Sequence, residues 1–88
     1  MYWVYMIKNK GNKLYIGVTS DPKQRLQNHN SKRGAEFTKN NNSFFIVFLE
    51  EYFDLASARK REIQIKKWRR EKKDILINRY QKGLPTKQ

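Results

Sequence analysis

Eighty-eight residues suffice for one α+β unit around one modest core and are too few for a catalytic domain beside a separate targeting domain. Twenty Lys and Arg against eight Asp and Glu leave a formal charge of +12, far beyond what solubility asks for. The expected partner is a polyanion, with nucleic acid first and an anionic membrane surface as the alternative. The absence of cysteine excludes disulfides, thiolate zinc sites and iron–sulfur clusters and fits a reducing cytoplasm. No apolar run approaches the roughly 18 to 20 residues of a membrane span, and the aromatic start Met1-Tyr2-Trp3-Val4-Tyr5 argues against a signal peptide.

Tyr2 to Ile7 alternates aromatic and aliphatic residues and predicts a strand, as does Leu14 to Thr19. The polar stretch Lys8 to Lys13 between them holds Gly11, so the two strands pair most simply as an antiparallel hairpin. Asp21 and Pro22 supply an N-cap and a first-turn proline, with Gln24 placed to close a capping box, and predict a short helix to about Asn30. Leu26 is nearly its only apolar residue. Ser31 to Ser43, with Gly34 and the run Asn40-Asn41-Asn42, predicts a surface loop long enough to be mobile. Phe44 to Leu49 is an uninterrupted apolar run and predicts a third strand buried on both faces. Asp54 caps a long helix from Leu55 to about Trp68. A break or kink over Arg69 to Lys73 then leads to a last helical segment carrying Ile75, Leu76, Ile77 and Tyr80. The expected organisation is one domain over residues 1–80, a three-stranded antiparallel sheet flanked by helices, with 81–88 as a flexible C-terminal tail.

On a helical wheel, Leu55, Ala56, Ala58, Ile63 and Ile65 cover one broad apolar arc, and Glu62 falls near its middle. An unpaired buried carboxylate costs several kcal/mol, so Glu62 needs a partner. One reading is a salt bridge to Lys66 or Arg59 at the rim of the core; the other is a polar notch in which the carboxylate holds a divalent metal. Around it, the window from Arg59 to Lys73 holds nine positive residues and two negative ones, a net of +7. Arg59, Lys60, Lys66, Lys67, Arg69, Arg70, Lys72 and Lys73 form an electrostatic footprint for phosphates, against the plainer reading of a solvated helix face. Trp68 within that run either stacks on a base or plugs the core.

Tyr5 and Tyr15 come near one another across the hairpin, and Arg25 and His29 share one face of the short helix. Taken alone, these are half-buried strand aromatics and solvent-exposed helix residues. Taken in order, Trp3-Val4-Tyr5, Tyr15-Ile16-Gly17, Asp21 to His29 and Arg61 to Lys67 resemble the GIY-YIG endonuclease domain. The likeness is strongest to small stand-alone bacterial members related to the nuclease half of the excision-repair incision protein, and it runs from about Tyr2 to Leu76. Here the first half of the motif reads Trp3-Val4-Tyr5, and the asparagine that larger relatives carry after the glutamate has no unambiguous counterpart.

The resemblance implies metal-dependent hydrolysis of DNA phosphodiester bonds, duplex or branched, with Mg²⁺ or Mn²⁺ as cofactor. It implies that Tyr5 and Tyr15 are the motif tyrosines, Gly17 the motif glycine with a structural role, Arg25 the arginine of the first helix, and Glu62 the metal ligand. In that scheme Tyr15 deprotonates water, Arg25 holds the phosphate, and His29 assists proton transfer or touches phosphate. With no zinc finger or helix-turn-helix visible, recognition is expected to be structure-dependent or weakly specific, or to depend on a separate targeting protein. The rival expectation is a non-catalytic nucleic-acid-binding protein on the same fold, with Glu62 only salt-bridged; binding to a ribosome or membrane needs the charge alone.

Overall fold

The computed structural model describes residues 1–31 and 43–87. It is an α+β fold in which β1 (Tyr2–Lys8) is the central strand of an antiparallel sheet of order β2-β1-β3, with β2 at Leu14–Thr19 and β3 at Phe45–Tyr52. Among the described residues three helices accompany it: α1 (Pro22–Ser31), α2 (Leu55–Lys66) and α3 (Arg70–Gln81). All but the two ends of the loop expected over Ser31 to Ser43 lies outside the described residues.

Alternation along β1 divides the core between the two faces of the sheet. Val4 and Met6 join Val47, Phe48, Ala58, Ile65, Leu76 and Ile77 under α2 and α3, while Tyr5 and Ile7 join Phe44 on the face that Leu26 of α1 covers. The hairpin reverses at Asn12, which takes the left-handed conformation (φ 69°) that Gly11 was expected to supply. Asparagine tolerates that region because its short side chain clashes little there. Buried Asn9 closes the turn, its Oδ1 accepting from the Lys13 N–H at 2.9 Å.

Asp21 caps α1 by accepting from the Gln24 N–H at 3.2 Å. The capping box stays half-made, since the Gln24 side chain donates forward to Asn28 Oδ1 at 3.0 Å instead of back to Asp21. β3 runs later and further than the apolar stretch suggested, taking in Glu50 to Tyr52. Phe44 sits just before it, gripped by the Asn30 side-chain amide, whose Oδ1 accepts from the Phe44 N–H at 2.9 Å and whose Nδ2 donates to the Phe44 carbonyl at 3.1 Å. The strand is not buried on both faces throughout, because it lies at the sheet edge and Phe45 is 46% exposed. A bulge at Val47 explains the unbroken apolar run: Met6 pairs with Phe48 and Ile7 with Ile46. Val47 and Phe48 therefore both face the α2/α3 core, while Ile46 and Leu49 pack on the other side.

Asp54 caps α2 through the Ser57 N–H at 2.7 Å, and hydrogen bonding from the Ser57 side chain first and then from its N–H holds the Asp54 carboxyl below its ordinary pKa. The broad apolar arc read from the wheel does not form. The buried stripe is Ala58, Glu62 and Ile65, whereas Leu55 and Ile63 are 40% and 52% exposed. A short three-residue break after Lys66 replaces the longer one expected, and α3 already begins at Arg70. It buries Leu76 and Ile77, and Tyr80 meets the Phe48 ring at 5.6 Å. Beyond α3, Gly83 takes a left-handed φ of 74°. Residues 84–87 run back along the molecule, where the Pro85 carbonyl accepts from Arg79, the Thr86 carbonyl from Arg61, and the Glu51 carbonyl from Lys87.

Candidate active site

The pairing of β1 with β2 places Tyr5 opposite Gly17 and Ile7 opposite Tyr15, so both tyrosines stand on the face that α1 covers. The Tyr5 ring lies directly across Gly17: a Cβ there would come within 2.5 Å of Tyr5 Oη and 2.7 Å of its Cζ. Only glycine leaves that room, which gives Gly17 a structural task in seating the phenol. Tyr5 is otherwise buried, and its hydroxyl oxygen accepts from Arg25 Nε at 3.2 Å.

That hydrogen bond links the hairpin to α1. It holds the Arg25 guanidinium above its ordinary pKa, because the phenolic oxygen accepts from the charged fork. Arg25 is exposed and, among the described residues, forms no ion pair, so its terminal nitrogens face outward with their charge uncompensated. One turn on, the His29 ring lies 5.1 Å from that of Tyr15 and meets Phe44 edge-on at 4.6 Å, while Phe44 sits 5.3 Å from Tyr15. Lys13 Nζ lies 5.7 Å from the centre of the Tyr15 ring. Tyr5, Tyr15, Arg25 and His29 thus form one patch. Phe44 and Lys13 belong to it too; they carried no signal in the sequence, since their places follow from the turn and the Asn30 clamp.

Glu62 arrives from the other helical layer. It lies on the stripe that α2 sets against β1 and β2, its side chain 9% exposed. Both partners suggested by the spacing are in place: Lys66 Nζ at 3.1 Å from Oε2 and Arg59 at 3.6 Å from Oε1. Both counterions are long and more than half exposed, so either can swing aside at little cost. Among the described residues no group of three or more His, Cys, Asp or Glu converges on a point. The donor set therefore suits a hard, hydrated cation on one carboxylate, not an all-protein cage.

The basic run is not one footprint. Arg59 and Lys66 flank Glu62, while Lys60 and Lys67 line a groove on the far side of α2. Arg70 ties α3 to the hairpin turn, donating to the carbonyl and Oδ1 of Asn12 at 3.0 and 2.8 Å and pairing with Asp74 at 3.1 Å. Lys72 stands over Trp68 at 4.3 Å, Arg69 is exposed, and Lys73 is half-buried. Trp68 itself packs against the α2/α3 core. Arg61 leaves the footprint altogether: it pairs at 2.8 Å with buried Glu50, which also accepts from the Tyr52 hydroxyl at 2.6 Å. Burial and that bond push the Tyr52 phenol well above its ordinary pKa.

Residues 1–75 match the family model described as the GIY-YIG catalytic domain, and the chain belongs to this family of nucleases. Its relatives include a UPF0213 protein of Staphylococcus haemolyticus, 35% identical over 76 residues that make up 86% of this chain and 93% of that one. A UPF0213 protein of Staphylococcus aureus is 37% identical over the same shares. The solution structure of a UPF0213 protein from Bacillus halodurans superposes with a TM-score of 0.57 at 29% identity, covering 89% of this chain and 84% of that one. Among the described residues no helix is long and apolar enough to cross a membrane.

Proposed function

We propose that this protein is a metal-dependent DNA endonuclease of structure-dependent or weak sequence specificity. The observation that carries the reading is the Tyr5–Arg25 pair. A phenol seated on Gly17 aims an exposed guanidinium, uncompensated among the described residues, from the same patch as Tyr15 and His29. A fork so placed can take two oxygens of a phosphodiester and stay with them as charge develops in an in-line displacement.

In that displacement a water oxygen bonds to phosphorus, the bond to the leaving oxygen breaks, and the products are a phosphomonoester and a hydroxyl. Tyr15 takes the proton of the attacking water on its oxygen while handing its own hydroxyl proton on, and solvent protonates the leaving oxygen. His29, whose ring lies 5.1 Å from that of Tyr15, is the neighbouring group that relays that proton onward. Arg25 binds and orients the phosphate, and Tyr5 keeps the guanidinium in place. Glu62 would hold Mg²⁺ or Mn²⁺ after exchanging Lys66 and Arg59 for the ion. When bound, the ion supplies charge neutralisation for the phosphate and leaving oxygen. Arg59, Lys66 and Arg69 would position the backbone of the substrate.

The two ion pairs of Glu62 favour a second reading, a phosphate-binding scaffold without catalysis. Nicking of supercoiled plasmid in Mg²⁺ or Mn²⁺ separates the two. The nuclease reading expects nicks from the wild type and none from Glu62→Gln at equal DNA binding. Equal nicking by both, or none by either under tight binding, rejects it.

A further inference from the structure

On the side of α2 turned away from Glu62 lies a groove of about 740 Å³, lined by Lys60, Arg61, Lys67, Trp68, Tyr52 and Lys87. It continues across α3 past Lys72 and Arg79 to the chain end. Among the described residues, no acidic one lines either part. Arg61 is neutralised from behind by buried Glu50, and the other cations face solvent. We propose that this groove binds a segment of single-stranded nucleic acid, at a site separate from the Tyr5–Arg25 patch.

The groove is set apart from Glu62 by the width of α2 and from the Tyr5–Arg25 patch by the sheet. Tyr52 and Trp68 pack against the α2/α3 core, while Tyr5 and Tyr15 belong to the α1 side. The groove's two aromatic rings carry the specific signal. Each has an exposed lysine ammonium over it, Lys72 at 4.3 Å from the Trp68 ring centre and Lys87 at 4.1 Å from that of Tyr52. An ammonium over a ring is readily exchanged for a nucleobase, which stacks on any aromatic face regardless of sequence. The displaced lysine then meets the adjacent phosphate, so ring and charge are both satisfied by one nucleotide. A duplex cannot make this exchange, because its bases are already stacked on one another, and it would reach the lysines alone. Both rings are also held in place: the Tyr52 hydroxyl donates to Glu50 at 2.6 Å, and the Arg61 guanidinium lies 5.3 Å from the Trp68 ring centre.

Neither a metal ion nor cleavage enters this binding, so it is measured in EDTA and its failure leaves the nuclease reading untouched. Fluorescence anisotropy with a labelled oligothymidylate of roughly a dozen nucleotides is the assay. The triple variant Lys60→Gln/Lys67→Gln/Lys72→Gln changes exposed side chains only. It is expected to bind about tenfold more weakly or worse, with a salt slope shallower by about 2, at ~0.7 for each phosphate no longer neutralised. The oligonucleotide should quench tryptophan emission in the wild type and far less in Trp68→Phe, where Trp3 remains. Lys10→Gln/Lys23→Gln, which removes two exposed cations that line neither part of the groove, should bind the strand within about twofold of the wild type, well inside the tenfold expected of the triple variant. The proposal is overturned if the triple variant keeps its affinity and slope or if Lys10→Gln/Lys23→Gln weakens binding as much as the triple variant does. It is equally overturned if polyglutamate displaces the strand at equal charge, which would mark the groove as a site for acidic peptide.

Discussion

Gly17→Ala probes the seat of the Tyr5 phenol. The new methyl would stand 2.5 Å from Tyr5 Oη, 2.7 Å from Cζ and 2.9 Å from Cε2, where 3.4 Å is the start of ordinary contact. The hydroxyl must therefore retreat by roughly 0.9 Å, within a core whose neighbours Ile7 and Phe44 are buried. Overpacking of this kind costs about 1–3 kcal/mol, and pulling the hydroxyl from Arg25 adds about 1 kcal/mol. The sum, about 2–4 kcal/mol, corresponds to a fall in melting temperature of at least about 10 °C in a chain this short. Urea unfolding of a double-mutant cycle isolates the contact. In a Tyr5→Leu background the clashing ring atoms are gone, and Gly17→Ala should cost less than about 1 kcal/mol. An equal cost in both backgrounds, or none in the wild type, refutes the seating argument.

Arg61→Ala should destabilise by about 3–5 kcal/mol in urea unfolding, because it strands buried Glu50. A Glu50→Leu/Arg61→Met double variant should lose markedly less. The Tyr52 phenol stays protonated beyond the ordinary pH 10, while in the unfolded chain it ionises there. Its folded pKa is raised, so its contribution is whole below that pH and stability falls as pH rises above it; a phenolate absorbance titration that ionises all five tyrosines together near pH 10 contradicts this. Asp54→Ala should destabilise α2 by the same amount at every pH above the ordinary carboxylate value of 3.8. The folded pKa is depressed, so the gap to the wild type should close as pH falls below that value, and a gap that persists at lower pH argues against the cap. In the cleavage assay, Arg25→Lys should lose activity at least about tenfold, since a point charge cannot replace a planar fork; undiminished nicking would remove Arg25 from the phosphate.

The order of strands and helices was legible because alternation, Asp21-Pro22 and Asp54 are local signals, and each matches its element. What escaped depends on residues distant in the chain. The bulge at Val47 breaks the period of two that strand reading relies on, so Phe44 to Leu49 looked buried on both faces. The wheel for α2 placed Glu62 at the centre of its apolar side but spread that side too widely, because Leu55 and Ile63 stay exposed in the fold. Arg61 was indistinguishable from its basic neighbours, since Glu50, eleven residues earlier, pairs with it only once β3 and α2 are packed. In the candidate site, Tyr5, Arg25 and Gly17 were legible from motif order, whereas the 2.5 Å approach that makes the glycine necessary is a tertiary fact.

The account turns on whether the α2 carboxylate and the hairpin tyrosines serve one ion. Titration of Mn²⁺ into ¹⁵N-labelled protein, read as paramagnetic broadening of amide signals, tests this directly. The account predicts broadening around Glu62 that extends to Tyr15 and Gly17 on β2 and disappears in Glu62→Gln. Broadening confined to other parts of the chain, or unchanged by that substitution, contradicts it.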